Sequence, residues 1–254
     1  MEQNSNKDFI KQFYGKIAKN EQSSCGCNSC GCGTNMSNED IAQSIGYGEN
    51  EIQNLGDANL GLGCGNPTGM GNIQKGDTVL DLGSGAGFDC FLAVKQTGKS
   101  GKVIGVDMTP EMIAKAKENA KKLNYNNVEF LLGDIEELPI EDNSIDVVIS
   151  NCVINLATNK TKVFEEIFRV LKKGGKSYIS DIVLLKDLSK EEKENKELIA
   201  GCVGGAILKD EYLEIIKKIG FEVNILGEDK DISERQYNGV ALESLKLELI
   251  KSIK

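Results

Sequence analysis

At 254 residues the chain has room for one large α/β domain or two small ones, and 40% hydrophobic content can fill its core. No run approaches the roughly 18 apolar residues of a membrane helix, and a formal charge of −9 with only two arginines, Arg169 and Arg235, argues against a nucleic-acid ligand. Histidine is absent altogether, which excludes Ser-His and Cys-His mechanisms and imidazole metal ligands.

The polar N-terminus carries no signal-peptide pattern, so a cytoplasmic protein, expected as a monomer, is the starting reading. Residues 6 to 20 read as a helix with Phe9, Ile10, Phe13 and Ile17 on one face. "SSCGCNSCGCG" follows, glycine-punctuated and aperiodic, and predicts a loop. A helix capped by Ser or Asn is expected from Asn38, then a second glycine-rich stretch, "GDANLGLGCGNPTGMGN".

From Thr78 strands and helices alternate: "TVLDL", "GSGAG" and a helix; "KVIGVD" and a helix with Thr109 as N-cap and Pro110 at its first position; "VEFLL"; "IDVVIS". A helix over 160 to 172 is expected to stop at Gly174-Gly175, before a fifth strand "KSYISDIVLL". "FEVNIL" and "LKLELIKSI" predict a sixth and a seventh, antiparallel strand. The expected fold is Rossmann-like α/β, a mostly parallel seven-stranded sheet with helices on both faces. Its segments are 1–72 (helical and Cys-rich), 73–185 (nucleotide-binding core) and 186–254 (a substrate-binding insertion and closing strands).

"VLDLGSGAG" places a glycine turn between strand and helix, where backbone N–H groups can meet a ligand. Its spacing departs from the dinucleotide fingerprint. Asp107 at the end of the second strand can accept ribose hydroxyls, Asp134 after the third can accept from an adenine amino group, and Asp81 suits a cationic ligand. This ordered set resembles the class I S-adenosylmethionine-dependent methyltransferases.

Eight cysteines in a cytosolic-type chain suggest soft-ligand or reactive thiols, not a disulfide scaffold. Cys152 follows the fourth strand, Cys202 lies in the insertion after the fifth, and Cys64 precedes the first; each alone is more often a packed core residue. Three thiols above one sheet edge suit a thiophilic trivalent ion such as arsenite. Cys90, beside Phe88 and Phe91, reads as structural.

The motifs "GLGCGNP", "DLGSGAGFDCFLA", "VIGVDMTPEMI", "VISNCVINL", "ISDIV" and "GCVGGA" resemble those of the bacterial arsenite S-adenosylmethionine methyltransferases, over about residues 9 to 225. The resemblance implies arsenic-binding cysteines at Cys64, Cys152 and Cys202. It implies cofactor contacts at Asp81, Gly83, Gly85, Asp107, Met108, Asp134, Ile135 and Asn151. It also implies S-adenosylmethionine as methyl donor, arsenite and methylated arsenicals as substrates, and thioredoxin or glutathione as reductant. A further N-terminal cysteine would pair with the Cys64 position during turnover, with Cys25, Cys27, Cys30 and Cys32 all open for that role. The same cluster admits a zinc or second arsenite site, a mobile thiol arm, or a bland tail. Two other readings stay open: a quinone-type small-molecule methyltransferase, and a thiol-rich sequestering protein on a methyltransferase fold.

Overall fold

A computed structural model describes residues 2–19, 36–53 and 55–252. The cluster Cys25, Cys27, Cys30 and Cys32 lies outside them. Before the sheet come α1 (Glu2–Ala18), α2 (Asn38–Ser44), α3 (Glu49–Gln53) and α4 (Pro67–Met70). Ser37 closes a capping box with Asp40 at the start of α2, the reciprocal bond pair that Ser-x-x-Asp can form.

The alternating core runs β1 (Thr78–Leu82), α5 (Phe88–Thr97), β2 (Lys102–Asp107), α6 (Pro110–Lys122), β3 (Val128–Leu132), β4 (Ile145–Asn151), α7 (Lys160–Val170) and β5 (Leu171–Leu184). After it come α8 (Lys190–Glu194), α9 (Lys196–Ala200), α10 (Lys209–Ile219), β6 (Phe221–Asp229), α11 (Ile232–Gln236) and β7 (Leu242–Lys251). The strands form one seven-stranded sheet in the order β3-β2-β1-β4-β5-β7-β6, parallel from β3 to β5, with β7 antiparallel to both neighbours. The reversal of strand order between β1 and β4 creates a crevice at the strands' carboxyl ends.

Packing explains both faces. Val163, Phe164, Ile167 and Val170 repeat at helical spacing on α7 and are fully buried, each contributing about 1.5–3 kcal/mol by leaving water. On the opposite face, α5 inserts Phe91 against Phe130, with ring centroids 5.9 Å apart in an edge-on arrangement. No described helix is long and apolar enough to cross a membrane.

Two local expectations are corrected. α7 ends at Val170, before the glycine pair, because Leu171 is fully buried and already pairs with Ile145. The glycines instead lie in an irregularity of β5, with Gly174 at φ +78°, before pairing resumes at Val147 and Lys176. Thr109 stands at the N-cap of α6, but its side chain makes no capping bond; Asp107 Oδ1 instead accepts the Thr109 N–H at 2.8 Å.

Candidate functional site

The crevice opens as a cleft of about 1140 Å³, mouth included, running from the glycine turn to Cys152. It brings together Asp81, Gly83, Gly85, Asp107, Met108, Asp134, Ile135 and Asn151 from separate strand ends. Asp107 organises the turn: Oδ2 accepts the Gly85 N–H at 3.0 Å while Oδ1 holds the start of α6. A carboxylate has about four acceptor positions, so capacity is left for ligand hydroxyls. Gly85, at φ +51°, has nothing within 4 Å of where a Cβ would stand, which leaves that face of the turn open to a ligand.

Asp134 does more than face the cleft. Lys7 of α1 pairs with it at 2.8 Å and with Glu136 at 3.0 Å. Burial works against the Asp134 charge, but the Lys7 bond, the Glu136 N–H and the charges of Lys7 and Lys11 together outweigh it and hold the carboxyl below its usual range. α1 thus lies along the cleft, with Tyr14 lining it too.

Asp81 and Asp89, the latter unassigned by sequence reading, are both buried, and among the described residues neither has an ion-pair partner. Asp89 accepts from Tyr47 Oη at 2.6 Å and from Asn151 Nδ2 at 3.2 Å; Asp81 accepts from the Cys90 thiol at 3.2 Å. Burial, and then each other's charge for Asp81, push these carboxyls above the ordinary range. Two buried acids without a cation fit a ligand carrying positive charge, as a sulfonium-bearing amino acid does. Cys90, placed as a structural residue by sequence, is fully buried beneath this pair.

Of the three thiols, Cys152 lines the far end of the cleft, and Cys64 and Cys202 adjoin it. Cys152 follows β4 directly and Cys202 follows α9; both adopt left-handed backbone, at φ +58° and +66°. The other three described non-glycine residues at positive φ are asparagines, which tolerate that region; a cysteine there costs about 1–3 kcal/mol. The surroundings impose this geometry: the Cys152 N–H donates to Ser180 O at 2.8 Å, and the Cys202 thiol donates to Cys152 O at 2.7 Å.

Cys64 is delivered by its loop. Its N–H donates to Asn151 Oδ1 at 3.0 Å, Asn151 Nδ2 donates to Gly65 O at 2.8 Å, and Ser244 Oγ donates to Cys64 O at 2.7 Å. A Cβ on Gly65 would stand 2.5 Å from Ser180 Oγ, so only glycine lets the loop approach β5 this closely. Asn151, expected as a cofactor contact, lines the cleft while its amide also clasps the Cys64 loop.

The Cys64 and Cys152 sulfurs and a carboxylate oxygen of Asp181 lie within 4.8 Å of one another, all three buried. Cys202 adjoins Cys152 but stands outside that mutual set among the described residues. Burial pushes the Cys64 thiol up; contact with Cys152 and burial do the same to Cys202. Cys152 is also raised: its contact with Cys202 favours the thiolate, but Cys64 and burial together prevail. The three groups are therefore neutral thiols at neutral pH. Asp181, Tyr14, Tyr47 and Tyr237 were missed by sequence reading; a lone acid inside the apolar run "ISDIVLL" was the available signal for Asp181.

A glycine-turn cleft at the switch point of a mostly parallel sheet defines a nucleotide-type cofactor site. Residues 73–220 match the family model described as "Methyltransferase domain". The arsenite methyltransferase of Halobacterium salinarum is 44% identical over 223 residues, covering 85% of this chain and 57% of that protein. That of Aquipseudomonas alcaligenes is 41% identical over 168 residues, covering 63% and 49%. The crystal structure of an arsenic (III) S-adenosylmethionine methyltransferase from Chlamydomonas reinhardtii superposes with a TM-score of 0.66 at 31% identity, covering 84% of this chain and 74% of that one. The chain belongs to the S-adenosylmethionine-dependent methyltransferases and, within them, to the arsenite methyltransferase family. It spans about half the length of the curated relatives it matches.

Proposed function

We propose that the chain transfers methyl groups from S-adenosylmethionine to trivalent arsenic bound by Cys64, Cys152 and Cys202. The observation that carries this reading is the chamber of buried, neutral thiols at the end of the cofactor cleft. A thiol that attacks as a nucleophile needs electropositive surroundings and a lowered pKa, the opposite of what Cys152 has here. Neutral arsenous acid suits neutral thiols: each S–H gives its proton to one leaving hydroxyl, three waters depart, three As–S bonds form, and no net charge is buried. Completing that set requires the Cys202 thiol to leave the Cys152 carbonyl and turn toward Cys64.

The cofactor supplies an electrophilic methyl group on a sulfonium sulfur. Asp81, Asp107 and Asp134 orient it, with the Asp81–Asp89 pair answering its positive charge. Tyr14 and Tyr237 cover Cys202 and Cys152 and keep water from the thiols. The arsenic lone pair forms the new As–C bond, which oxidises arsenic by two electrons. A thiol pair then returns two electrons by becoming a disulfide, and thioredoxin or glutathione regenerates it. Cys25, Cys27, Cys30 and Cys32 are candidates for that exchange. The setting is a cytoplasmic monomer.

The test incubates the protein with S-adenosylmethionine, arsenite and a dithiol, then separates arsenic species by chromatography with mass detection. Methylated arsenic with stoichiometric S-adenosylhomocysteine is expected. Arsenite binding without any cofactor turnover would replace this reading with a sequestering protein.

A further inference from the structure

Three-thiol arsenic chemistry leaves one group in the chamber unused. Asp181 is 1% exposed, yet a carboxylate contributes nothing to a neutral arsenic trithiolate. Its position is fixed from several sides. Oδ1 accepts from Asn155 Nδ2 at 3.0 Å and from the Ile182 N–H at 3.0 Å, and Oδ2 accepts from Tyr212 Oη at 3.0 Å. Burial pushes its carboxyl up to about 7 even though the Tyr212 bond and the field of Lys160 pull it down, so holding it charged beside two thiols is costly until a cation joins it.

We propose that Cys64, Cys152 and Asp181 form a binding site for a borderline divalent cation of the zinc class, which excludes the trivalent substrate while it is bound. Two sulfurs and one carboxylate oxygen with an open fourth position form a donor set that zinc accepts. Zn–S bonds of about 2.3 Å at a tetrahedral angle put two sulfurs roughly 3.8 Å apart, so the present limit of 4.8 Å needs a contraction of about 1 Å at most. Charge also balances. Two thiolates, a carboxylate and a dication sum to −1, and Lys160, whose field acts on Asp181, offsets it. Each bound cation displaces two thiol protons to solvent. The fourth position takes water, because the Cys202 sulfur lies outside the mutual set.

The decisive measurement uses the 254-residue chain with Cys25, Cys27, Cys30 and Cys32 replaced by serine, which leaves the chamber thiols and Cys90, buried against Asp81. Zinc-edge X-ray absorption on the zinc-loaded protein should show two sulfurs and two oxygens. Three or four sulfurs, or none, would overturn the proposal without any substitution in the chamber. Cobalt(II) titration should give a sulfur-to-cobalt charge-transfer band. Cys202→Ser should change the cobalt affinity less than threefold, and Asp181→Asn should weaken it at least tenfold with the melting temperature confirming a folded chain. Equal affinity in Asp181→Asn overturns the assignment of the carboxylate. Arsenite should displace the bound zinc, read with a chromogenic chelator. This arm alone rests on the arsenic reading, so its failure alongside a two-sulfur zinc sphere would count against arsenite binding and leave the zinc site standing.

Discussion

The two ends of the cleft are built in opposite ways. At the cofactor end, each functional group sits where a strand ends: Asp81 in β1, Asp107 closing β2, and Asp134 two residues past β3. Those strands are neighbours in the parallel sheet, and each group is placed by a few residues of local sequence. At the thiol end, Cys64, Cys152 and Cys202 come from three distant segments, held by bonds spanning 87 residues (Cys64 to Asn151) and 180 residues (Ser244 to Cys64). At the cofactor end Lys7 answers Asp134 while Asp81 and Asp89 have no ion-pair partner among the described residues; the thiol end gathers neutral thiols and stores backbone strain at two of its three cysteines. One end is assembled from local sequence, the other from long-range contacts.

If the two ends are energetically separate, substitutions should sort cleanly. The largest effect is expected for Cys152→Ser and Cys202→Ser. A hard, protonated hydroxyl replaces a soft donor, and arsenite methylation should fall by more than about a thousandfold, about 4 kcal/mol. Calorimetry should show S-adenosylmethionine binding within a factor of two of the parent. Near-parental turnover in Cys152→Ser would reduce that thiol to core packing.

Asp107→Ala is the mirror experiment. Loss of charge-assisted bonds to the ligand, and of the Gly85 anchor, should weaken S-adenosylmethionine by about 1.5–3 kcal/mol. Arsenite binding, followed by tyrosine fluorescence, should be unchanged. Unchanged cofactor affinity would mean that the end of β2 does not face the ribose.

Asn151 bridges the two ends, bonding Asp89 and Tyr47 on one side and the Cys64 loop on the other. Asn151→Ala should therefore weaken cofactor binding and slow arsenite methylation together, each by roughly 3- to 10-fold at about 1 kcal/mol per lost bond. An effect confined to one end would remove Asn151 as the link.

The smallest effect should appear in pH dependence. Asp81 faces Asp89, Cys90 and Asp107, while Asp89 faces Tyr47, Asn151 and Glu51; burial raises both carboxyls. Below their raised pKa values they are protonated and do not attract a cation, so S-adenosylmethionine affinity should rise severalfold between about pH 5 and 8. Asp89→Asn should flatten that profile, and a slope of opposite sign would assign the dependence to other groups.

The same contrast decides what the sequence made legible. Alternating strands and the order Asp81, Asp107, Asp134 are local patterns, and the sheet they imply is present with all seven strands. Cys64, Cys152 and Cys202 were proposed as arsenic ligands only through motif resemblance, since no local rule brings residue 64 to residue 152. Tyr14, Tyr47 and Tyr237 gave no signal because their roles arise from how α1 and the turns after α2 and α11 pack over the sheet edge. The stop expected at Gly174-Gly175 failed for a related reason: pairing of the buried Leu171 with β4 outweighs a local helix-termination rule.

The place of β7 has a consequence for how the site comes into being. It follows β6 in the chain yet inserts between β5 and β6, so the sheet cannot finish in the order of synthesis. Ser244, which holds the Cys64 carbonyl, lies on this strand. A nascent chain can therefore complete its glycine-turn half while residues beyond 240 are still on the ribosome, whereas the thiol chamber waits for a late, long-range strand insertion. During that interval β5 offers an unpaired edge and the Cys64 loop lacks its last tether. In the order of synthesis, the residues that build the cofactor turn are therefore available before those that complete the thiol chamber.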